Sequence, residues 1–347
     1  MHKPLGFSIY ISSFDQQKAM LEPLTGSRSA IFTSFHIMEE VDQTYHVKAK
    51  QMCQWLADRQ FQIIADVSPK TLELFDYPDM VSFAQAMHIS ALRLDYGFDQ
   101  SEIEQIAKLF PLVFNASTLN GQALPILENR LSLSAMHNFY PRPETGLDPD
   151  LFQTINQTII KQDIEVIAFI PGDQQLRGPI GEGLPTLEHH RGWPPYVALV
   201  DLIKNYQVTS IFVGDIVLSD QQLALIQTFL EDDVIQLPVT FLEGNYDLYE
   251  QIFTIRVDSP KGLMRLQESR GYASLGDRKR PNNCIERKCG YITMDNEKYQ
   301  RYSGEIQIMR EDHRQDQRVN VIGEIDKAYH PLVNGIKNGD RIKFISL

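Results

Sequence analysis

Along the first ~230 residues, short apolar runs alternate with longer stretches whose apolar positions recur at helical spacing, the pattern of repeated strand–helix units around a parallel sheet. The strand-like runs fall at residues 5–11, 30–34, 61–67, 91–96, 112–116, 131–138, 166–170 and 210–217. Between them the spacing predicts helices. Over residues 41–59, Val47, Met52, Trp55 and Leu56 stay near one face. Ser101 and Glu104 form the spacing of a capping box at the head of a helix over 101–109, and residues 220–230 follow the last strand in the same way. Eight such units suit a closed barrel better than an open sheet. The first strand runs into Ile9-Tyr10-Ile11-Ser12-Ser13-Phe14, without the glycine-rich turn that an open dinucleotide-binding sheet places there.

The pattern changes near residue 235. Strand-like runs at 237–242, 253–257, 290–294, 302–309, 318–325 and 341–345 follow one another without long helices, separated by turns such as Asn338-Gly339-Asp340. The expectation is a (β/α)8 TIM barrel over residues 1–235 and a smaller β-rich module, a barrel or sandwich, over 236–347.

Composition narrows the setting. The chain of 347 residues is 43% hydrophobic and 22% charged, as globular proteins are. Its longest apolar runs, 109–114 and 208–213, fall far short of the ~20 residues that a bilayer demands. Met1-His2-Lys3-Pro4 leads straight into strand-like sequence, with no apolar export signal of ~7–15 residues. Cys53, Cys284 and Cys289 match no zinc spacing and read as reduced thiols. A cytoplasmic protein away from membranes is expected. Residues 1–258 hold 16 Lys/Arg against 33 Asp/Glu, net −17, whereas residues 259–347 hold 17 against 12, net +5. The acidic body opposes nucleic acid as a partner.

In a TIM barrel the reactive groups stand at the C-terminal strand ends and in the loops after them. Polar and titratable residues gather at those positions: His36, Asp66, Arg93 and Asp95, Asn115, then His137, Asn138, Tyr140, Arg142 and Glu144, and finally Asp215. The loop after strand seven, residues 172–191, is the longest and holds Arg177, Glu182, Glu188, His189 and His190. Loops of this length in compact domains commonly cover or bind a ligand. No H-x-x-x-H or H-E-x-x-H spacing occurs, so no metal is expected, and no G-x-S-x-G marks a serine nucleophile. Several carboxylates around one mouth are what glycoside hydrolysis uses, one as acid and one as its ionised partner. Glu144 and Glu182, on neighbouring loops, are the first choice, with Asp95 and Asp215 in reserve; the residues themselves leave the pair open.

Several ordered segments then resemble one family: Leu5-Gly6-Phe7-Ser8-Ile9-Tyr10, Ile31-Phe32-Thr33-Ser34-Phe35-His36, Leu92-Arg93-Leu94-Asp95-Tyr96-Gly97-Phe98, Asn138-Phe139-Tyr140-Pro141-Arg142-Pro143-Glu144-Thr145-Gly146, and Arg177-Gly178-Pro179 with Glu182-Gly183-Leu184-Pro185-Thr186-Leu187-Glu188. Together they are similar to the 6-phospho-N-acetylmuramidases, long known only as outer surface proteins. Gly290-Tyr291-Ile292-Thr293-Met294-Asp295-Asn296 and its neighbours resemble that family's cyclophilin-like, all-β C-terminal domain. The resemblance implies a cytoplasmic enzyme of peptidoglycan recycling. It would hydrolyse the β-1,4 bond between N-acetylmuramic acid 6-phosphate and N-acetylglucosamine; with two carboxylates doing the chemistry, no cofactor is expected.

Such a phosphorylated amino-sugar disaccharide is anionic, so cations must offset the barrel's charge. Arg93, Arg142 and Arg177 are expected to grip phosphate or carboxylate. In the basic tail Arg270 and the Arg278-Lys279-Arg280 cluster are the candidates. Tyr10, His36, Asp66, Asn115, His137, Asn138, Tyr140, Glu188 and His190 complete the expected substrate-binding set. Two other classes stay open: a phosphosugar sensor without turnover, and a metal-dependent lyase or phosphohydrolase on the same barrel.

Overall fold

The structure is a computed structural model that describes residues 2–35, 37, 41–118, 131–269 and 278–346. It divides into two compact units, residues 1–227 and 228–347, with the division inside the helix Asp220–Asp232.

In the first unit eight parallel strands close a barrel: β1 (Gly6–Ser8), β2 (Ala30–Ser34), β3 (Gln62–Val67), β4 (Ala91–Leu94), β5 (Leu112–Asn115), β6 (Leu133–Met136), β7 (Glu165–Ile170) and β8 (Ser210–Val213). Closure comes from β8 lying beside β1, Val213 opposite Phe7. All eight expected strands are present. Alternation along them fills the barrel with Phe32, Ile64, Val113, Met136, Ile167, Phe169 and Phe212, a packed apolar interior. No helix among the described residues is long and apolar enough to cross a membrane.

Five strands, β1, β4, β5, β6 and β8, stop earlier than their apolar runs suggest, and at three of them a local reason is visible. The chain leaves β1 for a 3-10 turn, Ile11–Ser13, which brings Ser12 and Ser13 to the barrel mouth. β4 ends before Gly97, whose φ of +103° turns the backbone. β8 ends before Gly214, where an added Cβ would strike the Leu184 carbonyl oxygen. The helix after β4 is Gln100–Ala107, and its capping box is Asp99 with Glu102 rather than Ser101 with Glu104. Asp99 accepts the Glu102 amide at 2.9 Å while Glu102 accepts the Asp99 amide at 2.8 Å. Both spacings carry the signature; Asp99 follows the turn at Gly97 and meets the free amides first.

The second unit is a mixed sheet of seven strands in the order β10-β15-β9-β14-β12-β13-β11. These are β9 (Val234–Phe241), β10 (Ile252–Thr254), β11 (Leu263–Arg265), β12 (Tyr291–Asp295), β13 (Ile306–Met309), β14 (Val319–Ile325) and β15 (Arg341–Ile345). The pairing of β9 with β15 is parallel and the others are antiparallel. β11, three residues long and paired with β13, was too short to show in the apolar pattern.

Candidate active site

A cleft of about 820 Å³ opens at the C-terminal end of the barrel. Phe32 and Ser34 of β2, Asp66 of β3, Arg93 of β4 and Phe169 of β7 reach it, together with residues 136–141 and 177–179. The apolar part of its wall is an aromatic group. Phe169 meets Phe32 and Phe139 edge-on, with ring centroids 5.5 and 5.1 Å apart.

The polar part follows from strand register. Asp66 lies two residues beyond Ile64 on the same inward face, and parallel pairing sets it directly beside Arg93. The Arg93 guanidinium donates to Asp66 at 2.6 Å and to the Asn138 side-chain oxygen at 2.6 Å. Both charged residues are buried, at 6% and 7% exposure, so each needs the other to offset lost hydration. The Nε of Arg93 is buried without a hydrogen-bond partner. Arg177, half-buried on the opposite rim, lies over the Tyr10 ring at 4.2 Å. The Tyr10 hydroxyl donates to the Gly214 carbonyl at 2.5 Å.

His137 forms part of the cleft lining and is fully buried. One ring nitrogen lies 2.7 Å from the Asn156 side-chain oxygen and the other 3.3 Å from the Ser117 hydroxyl. Burial pulls its pKa down to about 4, so the ring is neutral near pH 7.

The candidate carboxylates divide. Asp66 is the one carboxylate among the described residues lining the cleft. Glu144 and Glu182 are exposed on the loops after β6 and β7 and are not among the lining residues. Asp215 is buried, and its oxygens accept the amides of Gly172, Leu184 and Arg177 at 2.8, 3.0 and 2.9 Å. Burial raises its pKa against the pull of those three donors. Asp215 thus fixes the course of the 172–184 segment. Asp95 is half-buried, with its amide on the Val67 carbonyl.

Other expected residues serve the framework. Asn115 accepts the Ser117 amide at 3.1 Å. Arg142 and Tyr140 offer carbonyls to Arg191, and Tyr140 also lines the cleft. Glu188 ties the two long loops together, accepting the amides of Glu144 and Gly146. His36 and Arg270 lie outside the described residues. Arg191, which the residue pattern did not single out, donates to Glu188 and to four carbonyls; its one sequence signal is the i,i+3 spacing from Glu188. The aromatic wall also went unread, because inward-facing phenylalanines look like any core residues in sequence.

One group among the described residues offers metal-type donors. His189, His190 and Asp201 bring ligand atoms within 4.8 Å of one another. Both imidazoles instead direct Nε2 at one oxygen of Asp201, at 3.3 and 2.8 Å. Their outer Nδ1 atoms are buried without partners, whereas metal-bound histidines normally anchor that nitrogen. The set reads as a hydrogen-bonded fastening between the 3-10 turn Glu188–His190 and the helix Pro195–Tyr206.

Against known proteins, residues 5–228 match the N-terminal family model of the 6-phospho-N-acetylmuramidases and residues 235–345 the C-terminal one. The chain belongs to this family. The 6-phospho-N-acetylmuramidase architecture is also that of a conserved Enterococcus faecalis protein of unknown function, at 26% identity and a TM-score of 0.83 over 99% of this chain and 96% of that one. An uncharacterised B. cereus protein shares it over 100% of both chains, at 23% identity and a TM-score of 0.80. No curated protein matches the chain. Family membership makes it a glycosidase on a TIM barrel, as the resemblance implied.

Proposed function

We propose that the protein hydrolyses the β-1,4 bond between N-acetylmuramic acid 6-phosphate and N-acetylglucosamine, in the cytoplasm, during peptidoglycan recycling. The observation that carries this reading is the composition of the cleft. Asp66 stands between Arg93 and an aromatic wall, and a second guanidinium, Arg177, lies across the mouth. An aromatic face stacks on a pyranose ring, and two guanidiniums suit a phosphate and a lactyl carboxylate on the same sugar.

Asp66, fixed by its cation, fits the anionic role, stabilising positive charge at the anomeric carbon or activating water. Glu144 and Glu182, exposed on adjoining loops, are the candidates for the acid that protonates the leaving oxygen. Cleavage then breaks the bond from C1 to the glycosidic oxygen, water supplies the new hydroxyl on C1, and the acid's proton goes to the departing sugar.

The competing reading, a phosphosugar sensor, draws on one observation: Asp66 is the sole carboxylate among the described lining residues. Incubation of purified protein with the phosphorylated disaccharide decides between them. Release of both monosaccharides at a rate proportional to enzyme supports hydrolysis. Saturable binding with an intact disaccharide after many hours sinks it and leaves the sensor.

A further inference from the structure

The two loops that carry the candidate acids meet through backbone bonds, Tyr140 to Pro185 and Leu147 to Thr186, and through one ion pair that reaches the acids' own segments. The Arg191 guanidinium donates to both oxygens of Glu188, from Nε at 2.6 Å and from Nη2 at 2.8 Å, a two-point contact. Between them the partners reach both loops. Glu188 accepts the amides of Glu144 at 2.9 Å and Gly146 at 2.7 Å, both in the loop after β6. Arg191 donates to the carbonyls of Glu182 at 3.2 Å and Gly183 at 2.9 Å, in the loop after β7. It also holds the carbonyl of Tyr140, a cleft residue, at 3.0 Å.

The local backbone is shaped for this contact. Glu144 has a φ of +67°, a left-handed conformation that costs a residue with a side chain about 1 kcal/mol or more. That conformation points its amide at Glu188. At Gly146 an added Cβ would lie 2.8 Å from the Glu188 backbone, so glycine lets the loops come this close. The Arg191 contact holds the Glu188 carboxyl down at about 2, so the pair stays charged through any ordinary pH.

We infer that Arg191 and Glu188 are positioning residues: together they set the separation of Glu144 from Glu182 across the mouth, and so govern the chemical step rather than substrate affinity. The inference rests on the hydrolase reading above. Its geometric half stands without that reading.

The test compares wild type with Arg191→Ala, Arg191→Lys and Glu188→Gln. Turnover of the phosphorylated disaccharide and amide exchange at Glu144 and Gly146 are both measured. Displacing a catalytic group by ~1 Å is worth on the order of 10²-fold in rate. Folded Arg191→Ala should therefore lose at least ~10-fold in kcat with KM within about three-fold of wild type. Millimolar guanidinium should restore part of the rate. Arg191→Lys should recover little, since an ammonium cannot span Glu188 and the carbonyls of both loops. Exchange at Glu144 and Gly146 should accelerate in all three variants. A merely structural role would give variants whose kcat returns to normal at temperatures where they are fully folded. That result, or unchanged amide exchange in folded Arg191→Ala and Glu188→Gln, overturns the inference. If Arg191→Ala does not fold, the near-isosteric Glu188→Gln decides on the same two measurements. If wild type leaves the disaccharide intact, the hydrolase reading and the catalytic half of the inference fail together, while amide exchange still judges the clamp.

Discussion

The two units differ in how they pair their acids with cations. In the barrel, Asp66 has Arg93, Glu188 has Arg191, and Asp215 has three backbone amides. In the second unit Asp295, at the end of β12, lies beside Glu305, just before β13, at 9% and 3% exposure, and the Arg265 guanidinium bonds Glu305 at 2.5 Å. Burial, reinforced by the Glu305 charge, pushes Asp295 up to about 7, whereas the Arg191 contact takes Glu188 down to about 2. A carboxylate that faces a committed cation is a permanent fixture. Two that share one cation become sensitive to pH.

Four measurements bear on that contrast, beginning with the largest effect. Asp66→Asn keeps the side chain's shape and removes its charge. Turnover should fall by about 10²-fold or more with the fold retained, and near-normal turnover would move the anionic role to another carboxylate. Asp66→Ala strands Arg93 in the interior, which should cost about 3–5 kcal/mol in chemical denaturation.

Next comes the phosphate. If Arg93 or Arg177 grips it, the dephosphorylated disaccharide should lose about 10-fold or more in kcat/KM, the worth of one charge-assisted contact. Equal turnover of both substrates would remove phosphate from recognition.

The third concerns Asp295. Its folded pKa of about 7 exceeds its usual 3.8, so the native state binds the proton more tightly than the unfolded chain does. The stabilisation is full below about pH 4 and is lost as pH rises through about 7. The second unit should melt several degrees lower at pH 8 than at pH 5, about 4–8 °C for each kcal/mol lost. Asp295→Asn should flatten that slope while Glu188→Gln leaves it in place. A melting temperature that rises over this interval would contradict the assignment.

The smallest effect expected is none. Carboxylate-driven glycoside hydrolysis needs no Lewis acid, so exhaustive chelation should leave kcat unchanged. A loss restored by Zn²⁺ would redirect attention to His189, His190 and Asp201.

The amino-acid sequence by itself determined the barrel. Alternation of period two and apolar spacing of 3.6 are local properties, so all eight strands could be read before any contact was known. It also placed the polar mouth, because strand ends in this fold face one way. Strand ends and caps were less legible. The choice between Asp99 and Ser101 depends on where a glycine turn releases the chain, and β11 is stabilised by its neighbour β13 rather than by its own three residues. Only the tertiary structure separated the carboxylates. In sequence Asp66, Glu144, Glu182, Glu188 and Asp215 are five acids after five strand or loop positions. Folded, one faces the cleft beside an arginine, two stand exposed on loops, and two are absorbed in holding those loops. The reason is that a carboxylate's role is set by its burial and its donors. Those donors come from a residue 27 positions away for Asp66 and, besides the nearby Arg191, from residues 42 and 44 positions away for Glu188.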